Sequence, residues 1–216
     1  HGGGYDVVVV GAGSAGCALA GRLPGRVLLL EAGPLDQRAE LRDAGSLAAT
    51  DPGHPRNWAY AAELSAGRTA VVPRGRGLGG SGSINGANWV WATPADARDW
   101  AAPGWSWPEL ADCYRRAETD LDLATPGPAR PATRIGHEHG DRGPIPVRRP
   151  AGELLHPGSE RFLETALRMG FPAEPDKNAG TPPGVGLVPS NALDGVRVDP
   201  ASAYLGAAQA LTVRGD

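Results

Sequence analysis

An α/β fold built on a parallel sheet is predicted for this chain by three features close to its N-terminus. Tyr5-Asp-Val-Val-Val-Val10 is β-branched and apolar on both faces, the composition of a parallel strand buried between two layers. A glycine cluster, Gly11-Ala-Gly-Ser-Ala-Gly16, follows at once, and Cys17 to Leu23 then reads as a helix that stops near Pro24-Gly25. Arg26-Val-Leu-Leu-Leu-Glu31 supplies a second buried strand. The result is a compact βαβ unit, whose crossover is expected to be right-handed with both strands in one sheet.

The remaining elements follow in order. Gly33 to about Arg56 is polar and irregular, with a helical stretch expected within Asp36 to Leu47. Ala92 to Asp122 reads as largely helical, one helix starting at Trp107-Pro108-Glu109 and running through Leu110, Tyr114 and Ala117. Thr125 to Gly143 is rich in proline, glycine and arginine and is expected to be a mobile surface loop. Ile145-Pro-Val147 suits an edge strand, because proline cannot donate to a ladder. Ser159 to Met169 has apolar residues at helical spacing and is stopped by Gly170. Gly186 to Asn191 and Gly195 to Val198 are expected strands. Ser202 to Ala210 is an expected helix, and Leu211 to Arg214 begins a further strand.

Composition narrows the function classes. At 216 residues the chain can bury a sizeable core. Its net charge is −3, and its arginines are scattered rather than striped with aromatics, which argues against a nucleic-acid partner. No apolar run approaches the roughly 20 residues that cross a bilayer, so no transmembrane segment is expected. Val7 to Val10 lacks the preceding basic residues of a signal peptide. A cytoplasmic location is the default expectation. Cys17 and Cys113 are too few for a disulfide framework or a metal cluster. His137-Glu-His139 alternates on the expected loop without further ligands, which is the pattern of solvated surface, so no metal is expected.

The chemistry lies in the glycines. In the spacing Gly-x-Gly-x-x-Gly between strand and helix, Gly11 permits the tight turn and Gly13 lets a pyrophosphate approach the backbone. Gly16 lets helix and strand pack closely. Ser14 and Ala15 complete that turn, and the helix N-terminus offers free N–H groups to phosphate. Glu31 ends the second strand about twenty residues on, with Ala32 beside it, where a carboxylate accepts hydrogen bonds from ribose hydroxyls. Glu31 argues against NADP, whose 2'-phosphate it would repel. The motif does not separate NAD from FAD. A second glycine-dense stretch, Arg74-Gly-Arg-Gly-Leu-Gly-Gly-Ser-Gly-Ser-Ile-Asn-Gly-Ala-Asn-Trp89, costs too much backbone entropy to be an ordinary core element. Two such loops suggest a dinucleotide gripped from both sides.

Gly75-Arg-Gly-Leu-Gly-Gly-Ser-Gly-Ser-Ile-Asn85, followed by Trp89 and Trp91-Ala92, resembles the first signature of the glucose–methanol–choline (GMC) oxidoreductases. Val27-Leu-Leu-Leu-Glu-Ala-Gly33, Asn57-Trp-Ala-Tyr60, Gly143-Pro-Ile-Pro-Val147 and Ala203-Tyr-Leu205 sit where comparable segments of that family fall. The resemblance implies a Rossmann-like FAD-binding domain formed by residues 1–141 and 200–216, with 142–199 starting a smaller α+β substrate domain. It implies that Gly79, Gly80 and Ser81 run along the pyrophosphate and ribityl chain, with Arg74 and Gly75 leading into the loop. It places Asn85, Gly86 and Asn88 beside the isoalloxazine. Some relatives carry a histidine tethered to the flavin where this chain has Ile84, so FAD is expected to be bound non-covalently.

The resemblance further implies an alcohol oxidoreductase acting on CH–OH donors, with hydride passing from the carbinol carbon to flavin N5, and a dehydrogenase rather than an oxidase. Glu118-Thr-Asp-Leu-Asp122 and Gly140 to Arg149 are similar to the branch encoded with the redox peptide cofactor mycofactocin, for which the reduced peptide would be the donor and a respiratory chain the acceptor. In relatives the second signature and the active-site His-His or His-Asn pair lie beyond the position matching residue 216, and none of the five histidines here takes that role. No catalytic residue is therefore assigned, and the 216 residues by themselves are expected to turn over no alcohol. An NAD-linked dehydrogenase explains residues 5 to 33 equally well but leaves 74 to 89 without a purpose. A non-catalytic nucleotide-binding module also stays open.

Overall fold

The computed structural model describes residues 4–36, 39–122, 139–180, 183–206 and 211–215. In chain order the elements are β1 (Val7–Val10), α1 (Ser14–Ala20), β2 (Val27–Leu30), α2 (Ala39–Arg42), β3 (Tyr60–Ser65), β4 (Arg68–Val72), α3 (Pro94–Trp100) and α4 (Trp107–Ala117). They continue with β5 (Glu118–Asp120), β6 (Ile145–Val147), α5 (Pro157–Arg168), β7 (Ala192–Leu193), β8 (Val196–Arg197), α6 (Pro200–Tyr204) and β9 (Leu211–Arg214). Single 3-10 turns occur at Ala48–Thr50, Gly80–Ser83 and Gly152–Leu154. Among the described residues no helix is long and apolar enough to cross a membrane.

The chain forms two compact units, His1–Ala87 with Gly195–Asp216, and Asn88–Asp194. These compact units divide at 87/88 and 194/195. Parallel pairing of β5 with β6, Glu118 opposite Ile145 and Asp120 opposite Val147, ties the segment around residue 118 to that around 145.

The first unit is organised by a parallel sheet of order β1-β2-β9, with Val7 opposite Val27, Val10 opposite Leu30, and Val27 opposite Leu211. Its core gathers Val9, Ala12, Cys17, Ala20, Val27, Leu29 and Ala201, all at or below 7 % exposure. The expectation that β1 is buried on both faces is corrected. Val9 is buried, but Val8 and Val10 are 53 % and 81 % exposed, because the core packs on the Val9 face of the strand. The predicted βαβ unit is otherwise present, with α1 starting three residues earlier than expected at Ser14. The hairpin β3–β4 was not anticipated. Ser65 pairs with Arg68 across the two-residue turn Ala66-Gly67, where Gly67 takes φ 74°.

In the second unit, α4 begins where Pro108 and Glu109 suggested. Pro108 stands in the first turn, where its missing N–H costs nothing, and the Glu109 carboxylate accepts from the Ser106 N–H at 2.9 Å. The expected helical character ends at Ala117, because Glu118–Asp120 is a strand. α5 ends at Gly170, whose φ is 89°. Gly186 to Asn191 carries no strand; the strands of that region are β7 and β8. The expected helix from Ser202 shortens to α6, and its continuation through 207–210 lies outside the described residues, as do residues 123–138 of the expected loop.

Candidate cofactor site

The first glycine turn is lined by bare backbone. Gly11 leaves β1 in the left-handed region at φ 96°, and its N–H donates to the Leu30 carbonyl at 2.7 Å, so strand pairing carries into the turn. A Cβ on Gly16 would lie 1.8 Å from the Gly11 oxygen, so α1 can return onto the turn only because residue 16 has none. At Gly11 and Gly13 the space a Cβ would take is open to 4 Å. Gly13 caps α1 in an extended conformation with no side chain on the helix's free N–H groups, and Ser14 and Ala15 are exposed beside it. Cys17 lies beneath: its thiol donates to the Ala12 carbonyl at 3.1 Å, and burial pushes its pKa up to about 11. That thiol is a packing group, not a nucleophile.

The second loop sits directly on the first. The Gly79 N–H donates to the Ala12 carbonyl at 2.8 Å, and a Cβ on Gly80 would come within 2.7 Å of the Gly13 Cα. Gly79 and Gly80 take φ 81° and 54°. The Gly75 N–H donates to Ser81 Oγ at 3.0 Å, and a Cβ on Gly75 would strike the Gly80 oxygen. Small residues thus let one loop lie against the other, Gly79 on Ala12 and Gly80 on Gly13. Arg74, at the entrance, is exposed and donates to the Pro73 carbonyl.

Glu31 is the staple of this stack. Its Oε2 accepts the Ala12 N–H at 2.7 Å, while Oε1 accepts the N–H groups of Gly33 and Gly77, each at 2.9 Å. One carboxylate thus ties the first turn, the end of β2 and the second loop together. Three of about four lone-pair sites are taken, which leaves room for one further donor such as a ribose hydroxyl. Ala32, next in the chain, is exposed, and its carbonyl accepts from Arg76 Nη2 at 2.9 Å.

The loop's far end carries Asn85 and Gly86, both exposed. Asn85 Oδ1 accepts the Ala87 N–H at 2.9 Å and a second hydrogen bond, at 2.8 Å, from Nη1 of Arg197. Arg197, only 2 % exposed, escaped the sequence analysis because it lies 112 positions from its partner in a segment with no motif. Ile84 turns inward against Leu41 and Ala49. The structure gathers the predicted residues from Gly11 to Gly86 in the first unit. Asn88 belongs to the second, where it forms an antiparallel bridge with Ser190.

The second unit holds a charge cluster of another kind. Glu118 and Asp120 are fully buried on β5, and the side chain of His139 is 5 % exposed between them and Asp176. This corrects the expectation that His139 is solvated surface; His137 and Glu138 lie outside the described residues. His139 Nδ1 meets Glu118 Oε1 at 2.7 Å and Nε2 meets Asp176 Oδ2 at 3.0 Å. Two ring nitrogens facing two carboxylates must both donate, so the ring is an imidazolium. Burial opposes that charge, but the hydrogen bonds the ring donates to Asp176 and Glu118 outweigh it and raise the pKa to about 9. Arg149 Nη1 holds both oxygens of Asp120, at 3.0 and 2.8 Å. The indoles of Trp89 and Trp91 donate to Glu118 Oε2 at 2.6 and 2.9 Å. Glu118, Asp120 and His139 have ligand atoms within 4.8 Å of one another, a spacing a metal could use. Two cations and two indoles already engage these acceptors, so the cluster is a closed ion-pair network.

An α/β unit whose two glycine loops are stacked and stapled by the acid ending β2 is a dinucleotide-binding unit. Comparison with known proteins carries this further: the GMC oxidoreductase family profile matches residues 5–213, and the chain belongs to that family. It is 38 % identical over 209 residues to an uncharacterized GMC-type oxidoreductase of Rhodococcus erythropolis, covering 93 % of this chain and 40 % of the relative. It is 36 % identical over 218 residues to human mitochondrial choline dehydrogenase, covering 93 % and 34 %. Its structure is similar to that of pyridoxine 4-oxidase from Mesorbium loti, with a TM-score of 0.82 at 30 % identity, over 98 % of this chain and 42 % of that one. An FAD-dependent oxidoreductase from Chaetomium thermophilum is similar at a TM-score of 0.78 and 26 % identity, over 98 % and 38 %. The chain thus spans about two fifths of the length of these relatives.

Proposed function

We propose that this chain is the FAD-binding part of a flavin-dependent oxidoreductase acting on CH–OH donors. The observation that carries the reading is the stapled glycine stack: open Cβ space at Gly11 and Gly13, an uncapped α1, and a second loop packed against that turn through Gly79 and Gly80. These are the features a pyrophosphate needs, close backbone approach and unclaimed N–H donors. Gly11, Gly13, Ser14, Ala15 and Gly16 would hold the pyrophosphate, with Glu31 and Ala32 at the adenosine ribose. Arg74, Gly75, Gly79, Gly80 and Ser81 would follow the pyrophosphate and ribityl chain, and Asn85, Gly86 and Asn88 the isoalloxazine. When bound, FAD supplies the hydride acceptor; the residues here bind and orient it. Ile84, a hydrocarbon facing Leu41 and Ala49, supports non-covalent binding.

The reading extends to a dehydrogenase rather than an oxidase, which the curated choline dehydrogenase relatives support. A small-molecule alcohol is the proposed donor. The narrower reading has reduced mycofactocin as donor and a respiratory chain as acceptor; it rests on the segments 118–122 and 140–149, whose charged side chains are largely engaged in the ion-pair network. Cytoplasmic residence is proposed on the two unbridged cysteines. The proposed domain division assigns residues 1–141 and 200–216 to the FAD-binding domain and starts the substrate-binding domain in 142–199.

The test is reconstitution. The protein expressed from its complete reading frame is expected to purify yellow, with a flavin absorbance band and about one FAD released on denaturation. It should reduce an artificial dye with alcohols but consume little oxygen. A colourless protein that takes up no added FAD would overturn the reading, and NAD-dependent turnover would replace it with the nicotinamide alternative. The 216 residues alone are expected to show no turnover.

A further inference from the structure

We infer that Arg197 is a positioning residue that fixes Asn85 with its amide nitrogen, and not its oxygen, offered to the bound cofactor. The inference rests on the FAD reading and adds to it a residue outside both glycine loops. A guanidinium can only donate, so the atom of Asn85 at 2.8 Å from Arg197 Nη1 must be the oxygen. The Ala87 N–H, also a pure donor, meets the same atom at 2.9 Å. With both contacts made, Oδ1 is spent on the protein's interior. The Nδ2 group keeps two donors with no partner among the described residues, on a side chain that is exposed.

The cost of this arrangement shows that packing alone does not explain it. Arg197 is 2 % exposed, and beyond its contacts to Asn85 and the Leu41 carbonyl (Nε, 3.0 Å) its Nη2 is buried without a partner among the described residues. A buried guanidinium left partly unsatisfied is a poor way to stabilise a fold, since an apolar side chain of similar volume serves as well or better. Asp43 and Asp199 provide the opposing charge nearby. Ala87 is buried in the left-handed region at φ 56°, which costs a residue with a Cβ and brings its N–H onto Asn85. Charge, strain and burial all converge on one exposed amide whose orientation they leave no freedom. Such an amide recognises a hydrogen-bond acceptor, either a carbonyl or ring nitrogen of a flavin or a phosphate oxygen.

The experiment uses the protein from its complete reading frame, with FAD affinity read from quenching of flavin fluorescence and stability read from thermal melts. Asn85→Asp keeps the acceptor for Arg197 and Ala87 but removes the outward donor. It is expected to melt no lower than the parent and to bind FAD at least tenfold more weakly, with a shifted flavin band. Asn85→Ala and Arg197→Met are each expected to lose a similar factor. The double variant should lose no more than the weaker-binding single, because one acts through the other, and Arg197→Lys should recover part of the loss. Unchanged affinity and spectrum in Asn85→Asp, or additive losses in the double variant, would overturn the proposal. If Arg197→Met does not fold, Asn85→Asp decides alone. A parent protein that takes up no FAD would instead defeat the cofactor reading, and the proposal with it.

Discussion

The glycine stack of the first unit and the charge cluster of the second are both polar and both largely enclosed, yet they solve the same problem in opposite ways. In the stack one carboxylate, Glu31, satisfies three backbone N–H groups, and only open space faces the Cβ positions of Gly11 and Gly13 beside it. In the cluster Glu118, Asp120 and Asp176 accept from other side chains, His139, Arg149, Trp89 and Trp91. Buried polar groups must be paired in either case. What differs is whether the pairing leaves a surface. Backbone-to-carboxylate pairing at Glu31 holds a turn with open space at Gly11 and Gly13 that a ligand can use; side-chain-to-side-chain pairing is suited to holding a unit together.

Gly16→Ala should break this contrast most severely. Its Cβ would overlap the Gly11 oxygen, a backbone atom that cannot move without opening the turn. FAD uptake is expected to fall more than a hundredfold, with a lowered melting temperature, measured by flavin content and calorimetry. Glu118→Leu comes next, because it takes from the His139 imidazolium its partner at Nδ1 and leaves two indole N–H groups without their acceptor. Breaking a buried charge network from one side costs on the order of 3–5 kcal/mol, to be read from denaturant melts.

Glu31→Gln tests the staple with a near-isosteric change. An amide places an NH2 where the carboxylate accepts, so at least one of the N–H groups of Ala12, Gly33 and Gly77 loses its partner. A loss of about 1–3 kcal/mol is expected, together with weaker FAD binding; an unchanged melt would mean the staple is unimportant.

The smallest effect is the pH dependence of the cluster. His139 has a raised folded pKa, so its contribution is fully present below its unfolded value near 6.5 and is lost as pH rises through about 9. Thermal stability is therefore expected to decline between about pH 6.5 and 9. In His139→Gln that decline should be absent, against a lower baseline.

Much of the first unit was legible because its signals are local. The valine run, the glycine spacing and Glu31 all lie within residues 7 to 31, and the turn's need for φ 96° at Gly11 and for no Cβ at Gly16 is written in residue type. The hairpin β3–β4 left a weaker trace, the Gly67 turn, because Ala61-Ala-Glu-Leu-Ser65 shows no clear alternation of apolar and polar residues. The strand Glu118-Thr-Asp120 left none. A fully buried polar strand contradicts its own composition, and only Trp89, His139 and Arg149, drawn from distant positions, make it stable.

By itself, then, the sequence determined the βαβ unit, the two glycine loops and the family to which they belong, since each depends on residues a few positions apart. Tertiary structure alone decided that the two loops touch, Gly79 against Ala12 and Gly80 against Gly13. It also decided that Glu31 bonds the protein as well as any ligand, that Arg197 stands behind Asn85 and that His139 is a buried cation. Each of these is a pairing between distant positions, and electrostatic and hydrogen-bond partners are chosen by proximity in space, which neither spacing nor composition encodes.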